Sequence, residues 1–165
     1  RYKDNRGKTK IPNYHEMFNC VDKIALTKEN QDDINVVIFQ SSIDDSNEFY
    51  IFDFQIEKVI ISRTDTTISD DEIVGVTNET IKDGIIGLFE TYDVYAWRQN
   101  ETVAEYTETN EGDTGGTMRW YLKIQFVDGK MYRLYGSTLT DETAPENFDL
   151  FVEELKALAT SSANE

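Results

Sequence analysis

One segment constrains the fold of this 165-residue chain more strongly than any other, and it covers residues 119–136. Apolar residues occupy every second position of its first half: Trp120, Leu122, Ile124 and Phe126. This two-residue period is typical of a strand with one buried face. Asp128 and Gly129 then mark a tight turn before a second alternating run. The segment therefore predicts a β-hairpin.

The turn of this hairpin has two alternatives, which give different strand registers. A two-residue Asp-Gly turn would place an apolar residue opposite Arg133. A three-residue loop over residues 127–129 places Leu122 opposite Leu134 and makes one face of the hairpin apolar. Because a slip of one residue would turn that face to solvent, burial favours the three-residue loop. We therefore expect Gly129 to adopt the left-handed conformation that the loop requires.

Other strands are indicated in the first half of the chain. Residues 34–39 and 49–61 are rich in β-branched and aromatic side chains, and both runs predict strands. The apolar face changes within the second run, which indicates a corner between two strands. Residues 73–76 add a short strand. Residues 14–26 have apolar side chains at helical spacing, although the end of this run fits a strand equally well.

Two helices are predicted from apolar stripes and capping residues. The first covers about residues 79–92, with Asn78 as its N-cap. Two glycines weaken it by roughly 1 kcal/mol each, so tertiary packing must stabilise it. The second covers about residues 145–158, and Thr143 with Glu146 fits a capping box at its start.

These elements predict one α+β domain, in which a mainly antiparallel sheet packs against the two helices. The domain is expected over residues 14–160. We expect residues 1–13, which are basic and poor in apolar side chains, to form a flexible leader. Residues 161–165 are expected to form a frayed tail.

The charge is strongly negative and unevenly distributed. The chain has 32 acidic and 16 basic residues, which gives a formal net charge of −16 at pH 7. Residues 1–10 hold five basic residues and one acidic residue, so the rest of the chain carries −20. Because such a body repels phosphate backbones, we expect no nucleic-acid partner. No apolar run approaches the length of a transmembrane helix, so we expect no membrane-spanning segment.

Catalytic and metal-binding patterns are weak. The single cysteine, Cys20, and the single histidine, His15, form no recognisable metal-ligand pattern. Acidic pairs are frequent in so acidic a chain. Residues 44–48 come closest to a calcium loop, but they lack the required glycine and the distal glutamate. We therefore assign no catalytic residue, no metal site and no cofactor.

The aromatic residues give the most direct indication of a binding surface. The chain has two tryptophans and nine tyrosines, and such side chains can form stacking platforms for sugars and peptides. Trp120 lies on the expected inner face of the hairpin, so we assign it to the core. Tyr95, Trp97 and Arg98 follow the first predicted helix, and we assign them to ligand binding.

Three functional classes remain open. The scarcity of histidine and cysteine and the surplus of aromatic residues favour a non-catalytic domain that binds a peptide, a glycan or a protein partner. A carboxylate-based hydrolase would need two acidic side chains that face each other across a cleft, at least one with a raised pKa. A structural spacer or assembly domain would use a large interface rather than a pocket.

The order of motifs in the second half of the chain resembles a known group of proteins. The motifs are Trp97 after a helix, the pattern Trp-x-Leu-x-Ile-x-Phe-x-Asp-Gly from Trp120 to Gly129, the step Tyr135-Gly136-Ser137, and Pro145-Glu146-Asn147-Phe148. They resemble uncharacterised secreted proteins and lipoproteins of Gram-positive, mostly gut-associated bacteria. The resemblance covers about residues 79–158, and its motifs are structural. It implies an extracytoplasmic location, either secreted or held at the cell surface by a lipid or membrane anchor upstream of residue 1, and no particular reaction.

Overall fold

The computed structural model describes residues 10–19, 22–41, 47–97, 119–137 and 147–162. Within these ranges the helices and strands are, in chain order, α1 (Tyr14–Met17), β1 (Ile34–Ser41), β2 (Phe49–Asp53), β3 (Lys58–Ser62), β4 (Ile73–Gly75), α2 (Glu79–Thr91), β5 (Arg119–Phe126), β6 (Met131–Ser137) and α3 (Phe148–Ser161). Short 3-10 helices cover Gln31–Asp33, Asp70–Glu72 and Val94–Ala96.

The strands of the described residues form one six-stranded antiparallel sheet in the order β4-β3-β2-β1-β5-β6. β1 lies near the centre, which agrees with its nearly continuous burial. α2 and α3 pack on one face of the sheet, where their buried residues join one large apolar cluster. The predicted α+β class, with an antiparallel sheet, a middle helix and a C-terminal helix, is therefore confirmed.

The C-terminal hairpin has the predicted register. Leu122 lies opposite Leu134. The backbone N–H of Phe126 donates to the carbonyl of Lys130 at 2.9 Å, which closes a three-residue loop. Gly129 has a φ of +93°, a conformation that strains any residue with a Cβ. The apolar face of the hairpin is inside, and Trp120, on that face, is only 1% exposed.

The middle helix begins where its capping residue predicts. The side chain of Asn78 accepts a hydrogen bond from the backbone N–H of Ile81 at 2.9 Å. The helix is not interrupted at its glycines. A methyl group added at Gly84 would lie 3.0 Å from Cδ1 of Leu158, so the missing side chain allows α2 to approach α3 closely.

The C-terminal helix differs from the prediction at both ends. It begins at Phe148, and its N-cap, Asn147, has a φ of 62° and makes no side-chain capping bond. The predicted capping box and the first predicted helical residue, 145, lie outside the described residues. The helix runs to Ser161, past the predicted domain end at 160, and the next residue, Ser162, is buried. It packs against Gly75, where a Cβ would lie 2.6 Å from the backbone carbon of Ser162.

The second face of the sheet is covered by the N-terminal segment. In the described residues of the range 14–26, the predicted helical pattern gives one helical turn, α1. Tyr14 and Phe18 are almost fully buried in a second apolar cluster. Further along, Lys23 forms a parallel bridge with Met131 at the edge of β6. The segment therefore gains its structure mainly from burial against the sheet, which local periodicity does not encode.

Candidate functional site: a groove at the base of the sheet

Trp97, one of the predicted binding residues, packs against the aromatic residues of the core. Its side chain is half-buried, and its indole N–H donates to the carbonyl of Tyr92 at 3.2 Å. The ring centroid lies 5.0 Å from that of Phe151 and 5.7 Å from that of Trp120, both in edge-to-face geometry. The indole is thus used in packing and in a backbone hydrogen bond, and its role in ligand binding stays a prediction.

Tyr95 is held by a separate polar cluster. Its hydroxyl donates to the side-chain oxygen of Gln31, and Nε2 of Gln31 donates to the carboxylate of Glu90 at 3.1 Å. Nζ of Lys28 lies 5.7 Å from the centre of the Tyr95 ring. Partial burial, with smaller contributions from nearby carboxylates, raises the pKa of Tyr95. Arg98, the third predicted binding residue, lies outside the described residues.

A groove of about 720 Å³ is lined by neither Tyr95 nor Trp97. We call it the basal groove. It is bounded by the start of β1, the β2–β3 turn, the connection from β4 into α2, and the β5–β6 loop. The lining residues are Ile34, Asn35, Phe54, Ile56, Glu57, Lys58, Val76, Thr77, Asn78, Glu79, Lys82 and Val127.

The basal groove combines an exposed apolar surface with polar side chains. Val127 is 66% exposed and Val76 is 37% exposed, although both are large aliphatic residues. Phe54 and Ile56 are partly buried beside them. Aliphatic side chains exposed in the lining of a concavity are a common feature of binding surfaces.

Asp53 does not line the basal groove but forms hydrogen bonds to two of its walls. Its Oδ1 accepts hydrogen bonds from the backbone N–H groups of Gln55 at 2.9 Å and Ile56 at 3.2 Å, which fixes the β2–β3 turn. Its backbone carbonyl accepts a hydrogen bond from the hydroxyl of Thr77 at 3.0 Å, which holds the connection into α2. The hydroxyl of Tyr14 donates to the other carboxylate oxygen at 2.7 Å.

The pair formed by Tyr14 and Asp53 is buried, with exposures of 0% and 1%. Removal from water disfavours both charged forms. Burial therefore raises the pKa of the Asp53 carboxyl, although its hydrogen bonds act in the opposite direction. Burial and the nearby carboxylate also raise the pKa of Tyr14. The pair thus supports the groove from below and does not line it.

The remaining walls are held by Asn35 and Val127. The side-chain amide of Asn35 donates to the side-chain oxygens of Gln55 at 3.0 Å and Gln125 at 2.9 Å, and so connects β1 with the β2–β3 turn and with β5. The backbone N–H of Val127 donates to the carbonyl of Asp33 at 2.8 Å, which holds the hairpin loop against the start of β1. Each wall of the groove is therefore fixed by hydrogen bonds before any ligand arrives.

Charged and metal-binding chemistry is sparse among the described residues. His15 is exposed, and its Nδ1 lies 3.8 Å from the carboxylate of Asp65. No group of three His, Cys, Asp or Glu side chains within the described ranges is placed to hold a metal ion. The predicted nearest calcium-like run, residues 44–48, falls largely outside them, as does Cys20.

Sequence reasoning did not find the basal groove, because its residues come from segments far apart in the chain. The only local signal was Val127, an aliphatic residue beside the Asp-Gly turn, where polar residues are more usual. Asp53 was equally hard to identify among 32 acidic residues. Its position at the end of an apolar strand was the one feature that set it apart.

Comparison with known proteins gives no match: no protein-family model, no curated protein and no solved structure matches this chain. Within the described part of the chain, no helix is both long and apolar enough to cross a membrane.

Proposed function

We propose that this protein is a non-catalytic binding domain that acts outside the cytoplasm, and that the basal groove is its ligand-binding surface. The observation that carries the proposal is the exposure of Val76 and Val127 in a concavity whose walls are held by hydrogen bonds. Keeping aliphatic side chains in water has a free-energy cost, which a ligand that covers them would relieve.

The size and rigidity of the groove support the same proposal. Its volume of about 720 Å³ falls within the range of roughly 300–1,000 Å³ that is common for ligand pockets. Because its walls are already fixed by Asp53 and Asn35, a ligand would not have to order them on binding. Preorganisation of this kind increases affinity by reducing the entropy lost on binding.

A carboxylate-based hydrolase is less well supported. Glu57 and Glu79 both line the groove, but both are exposed. Burial raises the pKa of Asp53, which is the property expected of a general acid, but this carboxyl lies beneath the groove and is covered by Tyr14. A substrate in the groove would therefore not meet a carboxyl group tuned for proton transfer.

The extracytoplasmic location is part of the proposal and is supported by the resemblance of the hairpin and C-terminal motifs to secreted proteins and lipoproteins. Fractionation of the source cells tests it directly. We expect the protein in the medium or in the cell-envelope fraction. Its recovery in the cytoplasmic fraction would contradict the location without affecting the groove.

The binding surface can be tested by filling the groove. Val127→Trp places a large side chain at its edge and should leave the fold intact, because Val127 is 66% exposed. Leu150→Trp is a matched control, since Leu150 is an aliphatic residue on α3 that is 49% exposed and does not line the groove. Fluorescently labelled proteins are applied to arrays of random hexapeptides and of bacterial and plant glycans. We expect ligands that bind the wild type and the control but not Val127→Trp. Equal binding by all three proteins, or binding of no ligand, would contradict the proposal.

A further inference from the structure

Two lysines in the basal groove have no carboxylate partner among the described residues. Lys58 lies at the start of β3, and Lys82 lies in the first turns of α2. Both line the groove and both are half-buried. Neither forms an ion pair with another described residue. The two lysines therefore line the same concavity from different elements.

The lack of partners does not reflect a shortage of acidic residues. The chain has twice as many acidic as basic residues, 32 against 16. Glu57 and Glu79 line the same groove, and Glu57 directly precedes Lys58, yet neither glutamate pairs with either lysine. Both glutamates are exposed, so their charges face solvent at the rim.

We propose that the ligand of the basal groove is an extended peptide that places an acidic side chain against Lys58 and Lys82 and an aliphatic side chain against Val76 and Val127. This inference rests on the proposed function of the groove. A carboxylate between the two lysines would gain charge-assisted hydrogen bonds in a partly desolvated site, where electrostatic interactions are stronger than in bulk water.

The charge of the whole protein limits the ligand further. A net charge of −16 repels polyanions, so a ligand rich in phosphate or carboxylate would be disfavoured at a distance. A single acidic group on an otherwise neutral chain suffers little of this repulsion and still complements the two lysines. The groove therefore fits a peptide with one acidic residue among apolar ones.

A peptide fits the lining better than an acidic glycan does. Sugars commonly stack on flat aromatic rings, and the described residues that line the groove include a single aromatic one, Phe54. Its other apolar residues are aliphatic: Ile34, Ile56, Val76 and Val127. The aromatic residues predicted as a platform, Tyr95 and Trp97, lie elsewhere and make intramolecular contacts. Aliphatic surface is complementary to aliphatic side chains.

The experiment uses arrayed hexapeptides in matched pairs. The two members of a pair share the same five neutral residues. They differ at one position, which is glutamate in one member and glutamine in the other. We expect the glutamate member to bind more strongly, by about fivefold for each lysine engaged, and the difference to shrink as the salt concentration rises. Oligogalacturonate on the same array represents acidic glycans.

Two double variants separate the groove from the overall charge. Lys58→Gln with Lys82→Gln removes both groove cations, whereas Lys23→Gln with Lys28→Gln removes the same charge from exposed sites outside the groove. We expect only the groove variant to lose the preference for glutamate. Equal loss in both variants would overturn the inference, because it would indicate a general field effect.

The outcomes distinguish this inference from the proposed function. If both members of each pair bind equally and Val127→Trp abolishes binding, the groove is the binding surface, but the inference that its ligand carries an acidic side chain is wrong. Binding of oligogalacturonate through Lys58 and Lys82, without peptide binding, would replace the peptide with a glycan. If no peptide and no glycan binds, the proposed function itself fails.

Discussion

Replacing Asp53 with alanine should lower the free energy of unfolding by about 2–4 kcal/mol. The carboxylate accepts hydrogen bonds from the hydroxyl of Tyr14 and from the backbone N–H groups of Gln55 and Ile56. A buried donor left without an acceptor costs about 1–3 kcal/mol. Because Tyr14 is fully buried, the loss of an acceptor for its hydroxyl should lower the free energy of unfolding by this full amount. The two turn N–H groups are only partly buried, so water can replace part of what they lose.

Asp53→Asn is the matched control. Asparagine keeps an oxygen that accepts from the turn N–H groups, and its amide can donate to the oxygen of Tyr14. It also removes the cost of burying a negative charge. We expect a change of no more than about 1 kcal/mol in the free energy of unfolding. Urea denaturation followed by tryptophan fluorescence measures both variants.

The pH dependence gives an independent result. Because the pKa of Asp53 is raised in the folded state, that state holds the proton more tightly than the unfolded state does. The contribution of Asp53 to the free energy of unfolding should therefore fall as pH rises from the ordinary carboxyl range to the raised pKa, and it should not change further above that pKa. Asp53→Asn lacks this contribution, so its stability relative to the wild type should increase across the same interval. A relative stability independent of pH, or equal losses for the alanine and asparagine variants, would refute the assignment of Asp53 as a buried, hydrogen-bonded carboxyl.

Substitutions at four further positions test the packing and the turn by thermal or urea unfolding. Trp120→Ala should cost about 3–5 kcal/mol, because the side chain is 1% exposed in the core, and an unchanged melting temperature would contradict this. Gly129→Val should be less stable than Gly129→Asn by roughly 1–2 kcal/mol, because asparagine tolerates positive φ, and equal stabilities would contradict the loop conformation. Gly75→Ala should destabilise by about 1–3 kcal/mol through collision with the backbone of Ser162. Gly87→Ala, where the added methyl group meets nothing within 4 Å, should stabilise the protein by about 1 kcal/mol. If Gly75→Ala were the more stable of these two variants, the close approach of Gly75 to Ser162 would be refuted.

Local rules in the sequence were sufficient for the elements whose structure depends on near neighbours. The register of the hairpin followed from the period of two and from burial of Leu122 and Leu134. The start of α2 followed from the capping preference of Asn78. The C-terminal helix was expected from its apolar stripe, although its end was not, because burial of Ser162 against Gly75 extends it.

Long-range pairing decided the rest. β1 lies between β2 and β5, two strands separated by more than sixty residues, and no local pattern specifies that order. The apolar spacing over residues 14–26 predicted a helix, with a strand as an equal alternative at its end. In the described part of that range one helical turn forms, and Tyr14 and Phe18 are buried against the second face of the sheet. The basal groove could not be predicted for the same reason, since it exists only after four separate connections have come together.

The most direct test of the binding groove is a map of backbone amide and indole chemical shifts of the ¹⁵N-labelled protein, recorded while the tightest-binding array peptide is added. We predict that the shifts concentrate at Asn35, at residues 76–79 and at Val127, which line the groove. The indole signal of Trp97, which packs against Phe151 away from the groove, should stay in place. Shifts centred on Trp97 and Tyr95, with the groove amides unchanged, would contradict the account and restore the binding surface that the sequence alone suggested.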